Sequence, residues 1–398
     1  MRQVHVGAVA LLLGAGLLAA QLAQTGPSAL AQGEGAEVSA LPSCPPLRIE
    51  NPLSSLTSAA WRADRLLLVD APSRRLVQLE LDDRARLRPI EAGINQTLST
   101  IQPVRIRSQG GGNSSSEGFI IELEARHSFM ALDRRLRFRD IRALWEAGSP
   151  GGGRDGGREE GGREVAALWD WVVAGNDIVG YADIAVHGRG GEEDVTWKTG
   201  FVRFPTGTPA AARVLGEMRA YPDQMRSFYR LSYPLVANLG NRAFAFFFDD
   251  TMEIVALDGM RRLKSLPEHL MHKLPPLLPE LLTADNFHWV MEQVEQSSMP
   301  AGLHGWGGHL FVLSRSSSDG QTSWFITKIA PDSDKLLWTK KIPSTANHMT
   351  VVPGPVRWAF LERGPVTSDL EQQTTAVRLI DAAHMVEKPD REDGFLCR

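Results

Sequence analysis

Residues 301–344 read AGLHGWGGHLFVLSRSSSDGQTSWFITKIAPDSDKLLWTKKIPS. His309-Leu310-Phe311-Val312-Leu313 is a short apolar run, set off by the turn-forming pair Gly307-Gly308. Residues 316–320 are polar and end in Gly320, the composition of a hairpin loop. Residues 323–329 alternate, with Trp324, Ile326 and Lys328 on one face and Phe325, Thr327 and Ile329 on the other. Pro331-Asp332-Ser333-Asp334-Lys335 makes a second turn, and Leu336-Leu337-Trp338-Thr339 a further strand. A sheet this small cannot bury both faces alone, so it needs neighbours of the same kind.

Weaker copies surround it. Residues 56–81 hold an apolar run ending in Asp70, a turn, then an alternating strand. Similar units fall at residues 102–144, 164–205, 235–257 and 348–385. Residues 243–248, AFAFFF, have no polar break, as expected of a strand buried on both faces. Radial repetition of four-stranded units is the arrangement that accommodates this pattern. The expected fold is therefore all-β: a β-propeller of about six four-stranded blades, with a seventh left open within residues 210–232. Residues 285–297 break the period. Asp285 can cap a helix whose Phe287, Val290, Met291 and Val294 make one apolar face, so one short helical insertion is expected there. Residues 148–163 are a glycine run with Arg, Asp and Glu, expected to be a flexible loop between blades.

Residues 329–343, IAPDSDKLLWTKKIP, resemble the repeat of pyrroloquinoline-quinone-type and outer-membrane-assembly propellers, in which an Asp-rich turn precedes a K-L-L-W strand. The resemblance covers this one blade. It implies the architecture more than any chemistry. The quinoprotein dehydrogenases it brings in use adjacent cysteines, an aromatic platform and carboxylate or Asn calcium ligands. This chain has no adjacent cysteines, so no quinone or other cofactor is expected.

The N-terminus reads as an export signal: Arg2 and His5, an apolar stretch over residues 6–22, then Ala29-Leu30-Ala31 as a small-x-small cleavage site before Gln32. The expected organisation is a signal peptide over 1–31, a disordered leader over 32–46 and a single propeller over 47–398, with Leu47-Arg48-Ile49 docking on the last blade. No later segment is apolar for long enough to span a bilayer, so no membrane span is expected after signal removal. The expected location is the bacterial periplasm or the extracellular space. The only two cysteines, Cys44 and Cys397, lie at opposite ends of the mature chain. In an oxidising compartment they can pair, joining first and last segments where a ring must close. Chain-entropy reasoning puts such a long loop at roughly 5 kcal/mol as an upper figure.

With 43 basic and 47 acidic residues the chain lacks the positive excess that nucleic-acid binding uses, and no nucleic-acid partner is expected. A Gly-x-Ser-x-Gly elbow, a His-Glu-x-x-His helix and paired cysteines at metal-ligand spacing are all missing from the sequence, so no catalytic set and no metal site is expected. The Asp249-Asp250 pair sits in a turn, where Asp is common. Arg135, Arg137 and Arg139 form a stripe suited to protecting a sheet edge. What remains is His304, Trp306 and His309 around a glycine turn where a blade begins, candidates for lining the central channel. Two functions stay open. One is an exported, monomeric, non-enzymatic propeller that binds a protein or other large extracytoplasmic partner through its loop faces. The other is an exported propeller enzyme, a hydrolase, lyase or quinoprotein-like protein, with its site at the central channel. Fold alone does not choose between them.

Overall fold

Alternating apolar positions and Gly- or Asp-bearing turns fold this chain into consecutive antiparallel meanders. The structure, a computed structural model, describes residues 39–41, 45–49, 58–62, 64–71, 73–81, 85–89, 98, 103–109, 118–123, 128–143, 163–187, 195–205, 213–220, 234–247, 253–265, 298–318, 321–332, 335–364 and 375–386. All belong to one unit, Val38–Arg398. The expected signal peptide, the helical insertion, both cysteines, Asp249-Asp250 and nearly all of the glycine run lie outside the described residues.

Two short strands come first, β1 (Ser39–Ala40) and β2 (Leu47–Arg48). The first sheet is β3 (Ser58–Arg62), β4 (Arg65–Asp70), β5 (Arg75–Leu81) and β6 (Ala85–Pro89). The second is β7 (Pro103–Gln109), β8 (Gly118–Leu123), β9 (Ser128–Asp133) and β10 (Phe138–Ala143). The third has the longest strands, β11 (Arg163–Ala174), β12 (Asp177–His187) and β13 (Val195–Pro205), with β14 (Arg213–Ala220) outside them. The fourth is β15 (Leu235–Leu239), β16 (Arg242–Phe247), β17 (Glu253–Ala256) and β18 (Arg261–Ser265). The fifth is β19 (Met299–Trp306), β20 (His309–Ser318), β21 (Gln321–Ala330) and β22 (Lys335–Ile342). The sixth takes β23 (His348–Val352), β24 (Arg357–Arg363) and β25 (Thr375–Asp381) from the end of the described chain, and a one-turn helix α1 (Ala383–Val386) follows. Its fourth, outer strand is β2, paired Leu47↔Val377 and Arg48↔Ala376. The docking expected of Leu47 is thus observed.

The first strand of each sheet touches the first strand of the next, and β23 touches β3, so these strands form the innermost ring. An apolar cluster fills each seam. Phe244 and Phe246 meet Leu310 and Val312 between the fourth and fifth sheets. Leu66 and Leu68 meet Ala359 and Leu361 where the sixth sheet returns to the first. Burial of these side chains supplies about 1.5–3 kcal/mol each, spread evenly around the ring rather than in one centre. This is a propeller-like arrangement of small antiparallel sheets.

One expectation needs correcting. Ser39–Leu41 were placed in a disordered leader; instead β1 lies parallel against β22, and Leu41 donates to the Lys341 carbonyl at 2.8 Å. Leu41 is only 2% exposed and fills the cluster between the fifth and sixth sheets, so one apolar side chain anchors a stretch of small and polar residues. Of residues 210–232, left open for a seventh unit, the described part is β14, which pairs with β13 as the outer strand of the third sheet. Gly216, at φ 68°, and a register shift disturb its alternation and hide it from a periodicity search.

Candidate functional site

The innermost strands of an antiparallel ring leave one row of backbone N–H and C=O groups without a strand partner. In this ring, side chains from the neighbouring inner strand supply the missing partners. The Ser58 hydroxyl donates to the Ile106 carbonyl and accepts from the Ile106 N–H, at 3.1 and 3.2 Å. The Trp61 indole donates to the Val352 carbonyl at 2.8 Å. Arg107 Nε donates to the Trp171 carbonyl at 3.2 Å. Gly305 packs directly on the Asn238 carbonyl, where a β-carbon would collide with backbone.

Asp170 is the most heavily used of these groups. Its Oδ1 accepts from Arg105 Nη1 at 3.2 Å, Arg107 Nη2 at 3.3 Å and the Trp171 N–H at 3.0 Å. Its Oδ2 accepts from the Val236 N–H at 2.8 Å. One carboxylate therefore ties β7, β11 and β15 together. Glu122, 4% exposed on β8, accepts from the Trp171 indole at 2.6 Å and lies 3.4 Å from Arg105 Nε. Two arginines and two carboxylates make a neutral set whose members bind one another.

His304 stands beside this set. It is partly buried on β19, and its Nε2 has no partner among the described residues. Gly302 leaves room for the ring, since a β-carbon there would sit 2.8 Å from Nε2. Burial pushes the imidazole down to about 3, and the Arg107 guanidinium adds to the effect. His304 is therefore neutral at every ordinary pH. Trp306 faces away, 7% exposed, and meets Trp358 edge to face at 5.9 Å. His309 turns its Nδ1 to the Gly307 carbonyl at 2.8 Å. Of the three sequence candidates, His304 adjoins the charged set, Trp306 is core and His309 closes its own turn. Arg105, Arg107, Glu122 and Asp170 escaped the sequence reading. The signal they carry is charge inside a strand, with Arg105 and Arg107 two residues apart and Asp170 between Trp169 and Trp171.

A second buried acid lies between the third and fourth sheets. Asp183 on β12 is 6% exposed and its Oδ1 has no partner among the described residues. Burial raises its carboxyl to about 6, with the Trp169 side chain opposing the shift. Tyr181 donates to the Thr199 hydroxyl nearby at 2.8 Å. Among the described residues no group of three His, Cys, Asp or Glu is placed to hold a metal ion. No helix among them is long and apolar enough to cross a membrane.

No family model and no curated protein matches this chain. Solved structures overlay on it loosely. A DUF4221-family member from Bacteroides vulgatus shares 9% identity over 87% of this chain and 100% of its own, at a TM-score of 0.46. Streptogramin B lyase shares 9% over 84% of this chain and 97% of its own, at 0.40. The calcium-binding protein regucalcin from Agrobacterium tumefaciens shares 12% over 86% and 95%, at 0.38. Overlays this loose transfer no function to the chain.

Proposed function

We propose that this chain is an exported six-bladed propeller that serves as a binding scaffold, engaging a protein or other large partner through the loops of its faces. The observation that carries this reading is the state of the ring centre. Asp170 accepts four hydrogen bonds and Glu122 is held by Trp171 and Arg105. A general base or nucleophile needs a lone pair turned toward substrate; both oxygens of Asp170 are engaged by the inner strands, and Oε2 of Glu122 is engaged by Trp171 and Arg105. Export is supported by the apolar N-terminal stretch and its Ala29-Leu30-Ala31 cleavage pattern. The second reading, an enzyme with its site at the ring centre, is favoured by one feature, the unpartnered His304 Nε2 beside Arg107.

Photo-crosslinking from single positions in the inter-strand loops, in cells that express the full chain, separates the two. Discrete adducts that form from one face only, and that are unchanged by His304→Gln, support the scaffold. Absence of adducts from every loop, with hydrolase or lyase turnover that His304→Gln abolishes, would establish the enzyme instead.

A further inference from the structure

The seam between the fifth and sixth sheets carries a surplus of hydrogen-bond donors. Lys328 on β21 and Lys340 on β22 are diagonal neighbours, since Lys328 pairs with Trp338 and Ile326 with Lys340. Each is only 3% exposed. Each ammonium has three N–H bonds, and among the described residues one is used: Lys328 Nζ donates to the Val386 carbonyl at 2.6 Å and Lys340 Nζ to the His384 carbonyl at 2.8 Å. Lys340 Nζ also lies 4.4 Å above the Trp338 ring. Among the described residues neither ammonium has a carboxylate within ion-pair distance. Three indole N–H groups in the same cluster, on Trp306, Trp338 and Trp358, are buried without a partner among the described residues. Trp324 beside them is satisfied by the Ala346 carbonyl at 2.7 Å. The edge-to-face meeting of Trp306 and Trp358 can account for one indole N–H, pointed at a ring face. It does nothing for the two ammonium groups. Two carbonyls at the end of a one-turn helix are weak compensation for a pair of buried like charges. Burial lowers Lys340 to about 8, with Lys328 adding to the effect, so Lys340 is cationic at neutral pH; burial lowers Lys328 as well.

More donors than acceptors among the described residues, with net positive charge, describe the lining of an anion site. We propose that this seam binds a small carboxylate or other oxyanion on Lys328 and Lys340, with indole N–H groups as the supporting donors. That chemistry has two sources. One is a free anion. The other is the chain itself, which continues past Val386 with Glu387, Asp390, Glu392 and Asp393.

The test is titration of the full chain with sodium acetate and with inorganic phosphate at constant ionic strength, read by the indole N–H resonances. Wild type and a variant carrying Glu387→Gln, Asp390→Asn, Glu392→Gln and Asp393→Asn are compared. A saturable shift of Trp338 or Trp358 in wild type, weakened at least tenfold by Lys340→Met, identifies a free anion. A shift confined to the neutralised variant identifies the chain's own acidic stretch. Lysine-labelled wild type gives a second measurement that needs no substitution at the site: ligation must raise the Lys340 pKa. No saturable shift in either protein, with the Lys340 pKa unmoved by anion, overturns the proposal.

Discussion

Asp183 sits on a middle strand where solvent does not reach its Oδ1, and its carboxyl titrates near 6 instead of near 4. The folded state therefore holds a proton that the unfolded chain has released. Stability from this group is complete below about pH 4 and falls as pH rises to about 6. By linkage the loss is at most about 3 kcal/mol, less where solvent relaxes the charge. Asp183→Asn should flatten the slope between pH 4 and 6 in urea melts and raise stability at pH 7. His304 works in the opposite direction. Its folded value near 3 lies below the unfolded value near 6.5. Stability is complete above pH 6.5 and is lost as pH falls toward 3, so His304→Gln should reduce acid sensitivity in that window. Gly305 gives a steric test. A β-carbon there meets the Asn238 carbonyl, whereas one at Gly259 meets nothing within 4 Å. Gly305→Ala should cost about 2–3 kcal/mol by forcing β15 and β19 apart, and Gly259→Ala should stay within about 0.5 kcal/mol, both read from denaturant midpoints. His304 and His309 look equivalent in the sequence, each flanking one turn. Alternation places a side chain on a face of its sheet. It says nothing of whether that position lies beside Arg107, across the ring, or within its own hairpin.

At the level of strands, Asp170 holds the inner edges of three sheets. Asp170→Asn keeps the shape but turns two acceptor sites into one and removes the charge that faces Arg105 and Arg107. We expect a loss of about 2–3 kcal/mol, because among the described residues Arg105 then keeps Glu122 as a counter-charge and Arg107 keeps none. A scaffold role predicts that partner binding survives wherever the variant remains folded. The outer rim uses the same device. Arg242 on β16 reaches Asp332, in the turn after β21, at 2.9 Å and Asp258 at 3.0 Å, which holds its guanidinium above its usual range, Asp332 contributing most. The Asp-rich turn that made residues 329–343 resemble cofactor-binding propellers thus clamps the fourth sheet to the fifth. Strand positions were legible because apolar alternation and Gly or Asp turns are local signals. The clamps were not, since each joins strands far apart in sequence: Asp170 to Arg105, Arg242 to Asp332. Outer strands such as β14 were hard to place for a related reason. They bury one face weakly and carry little periodicity.

Over the whole molecule, the ring closes through its first described residues. Ser39–Leu41 dock on the fifth sheet and Leu47–Arg48 complete the sixth. The end of the described chain is tied to the same place: Lys328 and Lys340 hold the carbonyls of Val386 and His384, and Lys340 adjoins Lys341, which receives Leu41. Cys397 follows Val386 by eleven residues, a reach of up to about 35 Å. In the sequence, Cys44 falls between Leu41 and Leu47. We expect exported material to yield a Cys44–Cys397 peptide on non-reducing mapping, with the mature N-terminus near Gln32. Reduction, or Cys397→Ser, should lower stability by about 2–4 kcal/mol and chiefly speed unfolding, because a latch on a ring acts after the sheets have formed. The β2 strand and Leu41 already close the ring without it, so the fold should persist when the bond is cut. Two free thiols in protein recovered from outside the cytoplasm would show that the strand and Leu41 close it unaided.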